Sequence, residues 1–349
     1  MNRGGKKMKI IKKHLDEIYR AYAASSIEIN GELNLLVASE EKGYPCYAYS
    51  GKNFNHRHTV WEDGGGCMSI IPIPNRENEF LAVRDFYLKE SPSGARLVWG
   101  HLVDGEWVIE TVIKLPYLHR FDLWDVDGEV YFVGATIADQ KSAKDDWSQP
   151  GTIYYAKLPE VLTDGLDLQV LKKGLFRNHG YIRHMVDGKP RGTFGCDQGV
   201  FEVIPSKEGQ WQVNHLMEGR ISEVAWCDLD GDGQDELMTI EPFHGNSMKI
   251  YKCIDGKYTE IYTYPYEIDF AHTLVGTTLA GIPSFVGGVR RVDAELFYIQ
   301  WVDGSCKETI IEKGAGPANV SVVHLKDCDL IISANHTKNE AAVYTVKKD

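Results

Sequence analysis

The stretch DLDGDGQDE, which starts at Asp228, has carboxylates at the spacing of a cation-binding loop. An EF-hand would need a bidentate glutamate where this chain has Thr239, with helices on both sides. The flanking segments SEVAWC and ELMTIE are instead short, apolar and rich in strand-forming residues. We predict that Asp228, Asp230, Asp232 and Glu236 hold Ca²⁺ as a structural brace between two strands. A hairpin turn that binds no ion is the alternative.

Three histidines that could bind a metal begin segments of one shared plan. His119, His179 and His272 each precede a short strand, and further segments of this kind start at Glu223 and Asn319. A turn, often DG-like, and a second strand that ends in small residues complete the plan. Successive starts are 60, 44, 49 and 47 residues apart. This period is typical of the four-stranded blade of a β-propeller.

The repeat predicts the elements that must position these side chains. Two further copies, opened near Ser25 and Cys67, bring the predicted number of blades to seven. The last copy ends one strand short, and the N-terminal segment KIIKKHLDEIY resembles the outer strands of other blades. We therefore predict an all-β, seven-bladed β-propeller closed by the N-terminal strand, with residues 1–349 as one domain. A pair of β-sandwiches is the alternative, but it does not predict the repeat.

The register of the repeat predicts a metal site in the central channel. The first strand of each blade lines that channel, so His119, His179, His272 and Glu223 should converge at one mouth. Imidazole and carboxylate ligands favour a divalent transition metal such as Zn²⁺ or Mn²⁺. Ala23 and the glycines at 64–66 would leave room for a substrate on the opposite arc. The alternative is that these histidines cap strand ends or bind backbone groups.

Polar loops should open at the same mouth. The connections between the second and third strands of the blades carry His244, Arg290 and His336, and Tyr181 lies close to His179. We predict that these four side chains transfer protons and anchor the substrate. Trp147 and Phe243 could stack on the faces of sugar rings. Each of these signals is weak alone, and their convergence carries the prediction.

Composition excludes several classes of function. The formal net charge of −12 disfavours nucleic acid as a partner, because phosphate binding requires concentrated lysine and arginine. No apolar stretch predicts a signal peptide or a membrane span, so no membrane partner is expected. The seven cysteines include no C-x-x-C pair, which favours reduced thiols and a cytoplasmic location. The hydrolase-elbow, zincin and nucleotide-binding motifs are missing.

Several motifs resemble those of FG-GAP/VCBS-like propeller proteins. They are LPYLHRFD, RNHGYI, DLDGDGQDEL, PFHG and GPANV. The group is distantly similar to the propeller part of aldos-2-ulose dehydratase, a sugar-processing lyase and isomerase. Oligogalacturonate lyase is a similar seven-bladed propeller with a histidine-bound metal. Unlike the aldos-2-ulose enzyme, this chain has no large second domain.

The resemblance and the histidine ring together favour a metal-dependent lyase, dehydratase or isomerase. Its substrate would be a small sugar or oligosaccharide that contains a keto-sugar or a uronate. The alternative is a non-catalytic propeller that binds carbohydrate or a protein partner through the same mouth. A transition metal in the channel distinguishes the two classes, because a binding module needs none.

Overall fold

A computed structural model describes residues 8–88, 92–206 and 209–349 of the chain. Its strands form seven antiparallel sheets of four strands each, arranged as the blades of a ring. Within these described residues, helical structure is limited to single 3₁₀ turns at Lys52–Phe54, Pro92–Gly94 and Leu162–Asp164. The predicted all-β fold is therefore confirmed.

In blades 1 to 6 the strands run outward from the channel in chain order, each antiparallel to the next. Blades 1 and 2 contain β2 (Ala21–Ile29), β3 (Glu32–Ser39), β4 (Cys46–Ser50), β5 (His56–Trp61), β6 (Ile70–Pro72), β7 (Glu79–Arg84), β8 (Arg96–Val103) and β9 (Glu106–Lys114). Blades 3 and 4 contain β10 (Leu118–Val126), β11 (Glu129–Thr136), β12 (Gly151–Lys157), β13 (Gln169–Leu175), β14 (Gly180–Val186), β15 (Lys189–Cys196), β16 (Gly199–Ile204) and β17 (Gln212–Met217). The DG turns of the repeat connect the first and second strands, as the sequence predicts.

The remaining three blades include the one that closes the ring. Blades 5 and 6 contain β18 (Glu223–Cys227), β19 (Glu236–Glu241), β20 (Ser247–Ile254), β21 (Lys257–Thr263), β22 (Asp269–Leu279), β23 (Ile282–Arg291), β24 (Leu296–Val302) and β25 (Ser305–Glu312). Blade 7 contains β26 (Asn319–His324), β27 (Asp329–Asn335), β28 (Glu340–Lys348) and, as its outer strand, β1 (Met8–Glu17). Because β1 pairs antiparallel with β28, the predicted closure by the N-terminal strand is confirmed.

Hydrophobic side chains fill the space between neighbouring blades. Each of the seven blade interfaces holds one apolar cluster. In the interface between blades 3 and 4, for example, Trp124 and Val133 share a cluster with Phe194 and Val203. The innermost strands also contact one another in sequence around the whole ring. Each blade buries apolar side chains on both of its faces against the neighbouring blades. This packing fixes the position of the first strand of each blade at the channel.

Three of the innermost strands contain a β-bulge near their start. The register shifts leave Tyr22 on β2, His119 on β10 and His272 on β22 without a cross-strand partner. A bulge places two residues of one strand opposite one residue of its neighbour and re-aims a side chain. All three bulged residues line the mouth of the channel.

The described residues contain neither a membrane-spanning helix nor a disulfide bond. No helix in the described part of the protein is long and apolar enough to cross a membrane. All seven cysteines are free thiols, and most of them are buried.

Candidate functional site

A cavity of about 590 Å³ occupies one mouth of the propeller. It lies where the first strands begin and where the loops after the second strands open, because each blade is antiparallel. Those loops supply, among others, Glu40, Phe86, Trp147 and His244, whereas Arg290 lies at the end of the second strand β23. The prediction that loops between second and third strands open at one mouth is therefore met by these residues. A cavity of this size suits a small organic ligand.

Three histidines from three successive blades meet in this cavity. His179 precedes β14, His244 follows β19 and His272 lies on β22. Each offers one ring nitrogen, and the three atoms lie within 4.8 Å of one another. The Nε2 atoms of His179 and His244 are only 3.1 Å apart. Nitrogens that share a zinc ion at about 2.1 Å must lie within roughly 4 Å, so a small shift of these rings would complete a site.

The opposite nitrogens of two rings are held by acceptors. The Nδ1 atom of His179 lies 2.6 Å from Oε1 of Glu223. The Nδ1 atom of His272 lies 2.6 Å from the carbonyl oxygen of Ala318. Such acceptors select the tautomer protonated at Nδ1 and leave the Nε2 lone pair for a ligand, an arrangement typical of metal-binding histidines. Glu223 thus orients His179 rather than joining the group of three.

A fourth histidine lies beside the three. The His119 ring centroid is 4.4 Å from that of His179, and its Nε2 atom lies 3.3 Å from the hydroxyl oxygen of Tyr22. Tyr22 also packs edge-to-face on His272. Burial raises the pKa of Tyr22, so its hydroxyl is neutral and can donate a hydrogen bond. His119 and Tyr22 therefore form a neutral pair beside the three histidines.

Burial keeps all four imidazoles neutral. The pKa values of His119, His179, His244 and His272 lie well below the ordinary value of histidine. The main cause is burial, which disfavours the charged form. The other cations of the site, including Arg120, lower them further. Neutral imidazoles have a free lone pair, which both metal binding and proton acceptance require.

Glu223 connects this cluster to a buried arginine. Its Oε1 atom accepts a hydrogen bond from Arg120 at 3.4 Å, and Arg120 also donates to the carbonyl oxygen of Met68 at 3.2 Å. Burial raises the pKa of Glu223 to about 8, although Arg120 acts against the shift. Arg120 therefore links blades 2 and 5 across the channel beneath the histidines.

A second polar cluster lies at the rim of the cavity. Glu40 accepts from Nε of Arg20 at 2.7 Å and lies 2.8 Å from Nε2 of His336. Burial acts to raise the pKa of Glu40, but His336 and the arginines lower it to about 2. The Nη2 atom of Arg290 lies 2.8 Å from the His336 ring nitrogens.

Aromatic rings form the walls of the cavity. Trp147 packs edge-to-face on Phe243 with centroids 5.1 Å apart, and Phe243 stacks on His244 at 4.0 Å. On the other side, Phe270 lies 4.4 Å from His244. His244 and Phe270 have backbone φ angles of 46° and 61°, a region that side-chain-bearing residues rarely adopt. Backbone strain of this kind concentrates at functional sites.

The structure brings histidines together at the mouth, but the membership of the group differs from the predicted one. His119, His179 and His272 do converge, as the register predicts, but His244 takes the place beside His179 and His272. The sequence suggested His244 as a catalytic group and His119 as a ligand. His244 reaches the centre because its loop folds back under Ser222, whose Oγ accepts the His244 backbone N–H at 3.1 Å.

Two of the other predicted site residues lie elsewhere. The Tyr181 hydroxyl donates to Asp122 at 2.7 Å and accepts from Trp124 at 2.9 Å, so Tyr181 does not face the mouth. Tyr181 is the second residue of β14, and successive side chains of a strand point to opposite faces. Its side chain therefore points into the blade interface. His336 lines a neighbouring cavity of about 370 Å³ rather than the main one. Arg290 borders both cavities, as a substrate-anchoring residue should.

Sequence reasoning also missed one residue and misread a glycine run. It aligned Ala23 with the histidines, whereas the bulged equivalent is Tyr22. The matching triplets AYA, LHR and AHT carry that signal. The glycines at 64–66 do not open space for a substrate. A Cβ on Gly65 would lie 1.7 Å from the carbonyl oxygen of Glu41, so glycine permits close backbone packing there.

The predicted calcium loop lies between β18 and β19, at the opposite end of these strands from the histidines. Asp228, Asp230 and Glu236 offer oxygens within 4.8 Å of one another. The ammonium group of Lys252 contacts Asp230, and lies 2.8 Å from Asp232 and 3.0 Å from Glu236. The side chain of Lys252 thus places a cation among these carboxylates. The role of a bound Ca²⁺ in this loop stays a prediction.

This fold and mouth define the class of the protein as a seven-bladed β-propeller with a histidine-lined cavity. Solved structures support the fold across almost the whole chain. The β-propeller domain of Cps50 (Swd1) from Myceliophteria thermophila is 10% identical, with a TM-score of 0.61, and the match covers 97% of this chain and 100% of that one. Sqt1 from Saccharomyces cerevisiae is 9% identical, with a TM-score of 0.56 and coverage of 97% of each chain.

A candidate 6-phosphogluconolactonase from Bacteroides fragilis is also similar in structure. It is 15% identical, with a TM-score of 0.56, and the match covers 87% of this chain and 88% of that one. At these identities the likeness concerns the fold alone. No protein-family profile matches the chain, and no curated protein matches it by sequence.

Proposed function

We propose that this propeller is a metal-dependent carbohydrate-processing enzyme. It would catalyse an elimination from a keto-sugar or uronate, or the isomerisation of such a sugar. The observation that carries the proposal is the cluster of His179, His244 and His272, whose ligand atoms lie within 4.8 Å of one another. The motif-level resemblance to aldos-2-ulose dehydratase supports the same chemistry. A divalent metal held by these imidazoles would polarise a carbonyl or carboxylate oxygen of the sugar.

The residues around the cluster suit the proton transfers of such a reaction. Elimination removes a proton from the carbon next to the carbonyl or carboxylate, and a C=C bond forms as the C–O bond to the next carbon breaks. The neutral imidazole of His119 can accept that proton and return it to the departing oxygen, or to the neighbouring carbon in an isomerisation. Tyr22, 3.3 Å away, holds the ring in place. Trp147 and Phe243 provide apolar faces on which a sugar ring can stack.

The test is the metal content and activity of purified protein. We expect about one transition-metal ion per chain by mass spectrometry, and formation of an unsaturated or isomerised product from keto-sugars or uronates. His272→Ala should lose the metal and the activity together. His58→Ala is the matched control, because His58 lies exposed on the outer strand of blade 1. If wild type and His272→Ala contain equally little metal yet both bind sugar, the protein is a non-catalytic binding module.

A further inference from the structure

The guanidinium of Arg290 is a half-buried cation at the rim of the main cavity. Its side-chain hydrogen bonds are to the ring nitrogens of His336, at 2.8 Å. Its flat face lies over Phe270, 4.7 Å from the ring centroid. In the described part of the chain, no carboxylate lies within 4.0 Å of it. A cation taken out of water without an anion is costly, so this position is suited to receive one.

The nearby carboxylate of Glu40 already has other hydrogen-bond partners. Glu40 accepts from Arg20 and lies 2.8 Å from His336, so it serves two other groups. Burial is the main cause that lowers the pKa of His336, and the neighbouring arginines lower it further. The ring of His336 is therefore neutral. Arg20 pairs with Glu40 and also lies 3.4 Å from Glu41, so its own charge is balanced by contacting carboxylates. Arg290 has neutral His336 as its side-chain hydrogen-bond partner instead.

The Arg290 guanidinium lies beside the proposed reaction centre. Arg290 borders both the cavity of about 590 Å³ and the adjoining one of about 370 Å³. The Phe270 ring that supports Arg290 also lies 4.4 Å from His244. The Phe270 ring therefore contacts both the guanidinium and a histidine of the cluster.

We propose that Arg290 binds the carboxylate of the substrate, so that the cavity takes acidic sugars, with a uronate as the reacting unit, rather than neutral keto-sugars. This inference rests on the proposed function, because it names the substrate class of the same site. A guanidinium presents two parallel N–H groups to a carboxylate, a geometry that lysine cannot reproduce.

The same contact would serve the chemistry. When a proton leaves the carbon next to a carboxylate, negative charge develops on the carboxylate oxygens. A guanidinium already in place stabilises that charge without reorganisation. The neighbouring Arg291 is a poorer candidate, because it is exposed and pairs with Asp269 at 3.1 Å.

The test compares two acidic sugars with a neutral sugar and a sugar phosphate. Binding of D-glucuronate, D-galacturonate, D-glucose and D-glucose 6-phosphate to the metal-loaded protein is measured by calorimetry. We expect both uronates to bind at least about tenfold more tightly than glucose, since a hydrogen-bonded charge contributes on this scale. Arg290→Gln should remove that preference, and Arg290→Lys should restore only part of it. Arg57→Gln, which removes a guanidinium stacked on Tyr47 in the outer part of blade 1, should leave it unchanged.

The possible outcomes separate this inference from the proposed function. Equal binding of glucose and uronates, or an unchanged preference in Arg290→Gln, would refute the carboxylate site even if the metal is present. Tighter binding of glucose 6-phosphate than of either uronate would show a phosphate site instead. A protein without a transition metal that still shows an Arg290-dependent uronate preference would support the inference and contradict the enzymatic proposal.

Discussion

The ring closure contains a carboxylate whose charge should stabilise the fold in a pH-dependent way. Glu340, the first residue of β28, accepts from Lys12 of β1 at 2.7 Å and from Asn335 at 2.8 Å, and lies 2.9 Å from Nδ1 of His14. Lys12 also donates to Glu312 of blade 6 at 2.8 Å. Burial acts to raise the pKa of Glu340, but these donors lower it from 4.5 to about 2.

The size of the effect follows from this shift. A carboxyl group whose pKa falls from 4.5 to about 2 on folding contributes at most about 3 kcal/mol of stability. Because the folded pKa is the lower one, the contribution is complete above pH 4.5 and disappears as the pH falls toward 2. Glu340→Gln imitates the protonated carboxyl, so it should cost up to about 3 kcal/mol at pH 7 and progressively less in acid.

Urea unfolding followed by circular dichroism between pH 7 and pH 3 measures this difference. Glu17→Gln is the matched control, because Glu17 pairs with Glu340 in the register but is exposed. The control should change the free energy of unfolding by no more than about 0.5 kcal/mol. A loss in Glu340→Gln that does not change with pH, or that Glu17→Gln reproduces, would show that packing rather than charge holds β1 in place.

Two further predictions concern the cation sites. Glu223→Gln should weaken the affinity for a transition metal about 10- to 100-fold, because the amide cannot ionise and so cannot place a negative charge beside Nδ1 of His179. Metal titration measures this, and unchanged affinity would mean that Glu223 does not orient a ligand. Lys252→Met removes the ammonium group that lies among Asp232, Glu236 and Asp230. Its melting temperature should respond more strongly to CaCl₂ than that of wild type, and an equal response would show that Lys252 does not compete with Ca²⁺.

The fold could be predicted from the sequence because its signals are local and repeated. Alternating strands, DG turns and the recurring starts at His119, His179 and His272 all follow from short-range patterns. The closure by β1 followed from the missing strand in the last copy. These features require no knowledge of how the blades pack, which explains why they were confirmed together.

The site was harder to predict, because its geometry depends on single-residue irregularities. The bulge in β2 shifts the channel position from Ala23 to Tyr22. The loop that carries His244 has a positive φ at that residue, and no pattern in the sequence specifies where such a turn directs the side chain. Tyr181 is predicted to face the mouth because it lies close to His179 in the sequence. Side chains alternate along a strand, however, and at its position on β14 Tyr181 points into the blade interface.

The bulges at Tyr22, His119 and His272 have a consequence for how this scaffold can change. A bulged residue contributes no cross-strand pair, so replacing its side chain leaves the hydrogen-bonded ladder of its blade intact. The chemistry at the mouth can thus vary at these points without a change in strand pairing. Because Tyr22, His119 and His272 are buried, mutational libraries at the three positions should yield folded proteins mainly where the new side chain has a similar volume, which still makes them starting points for the design of new activities.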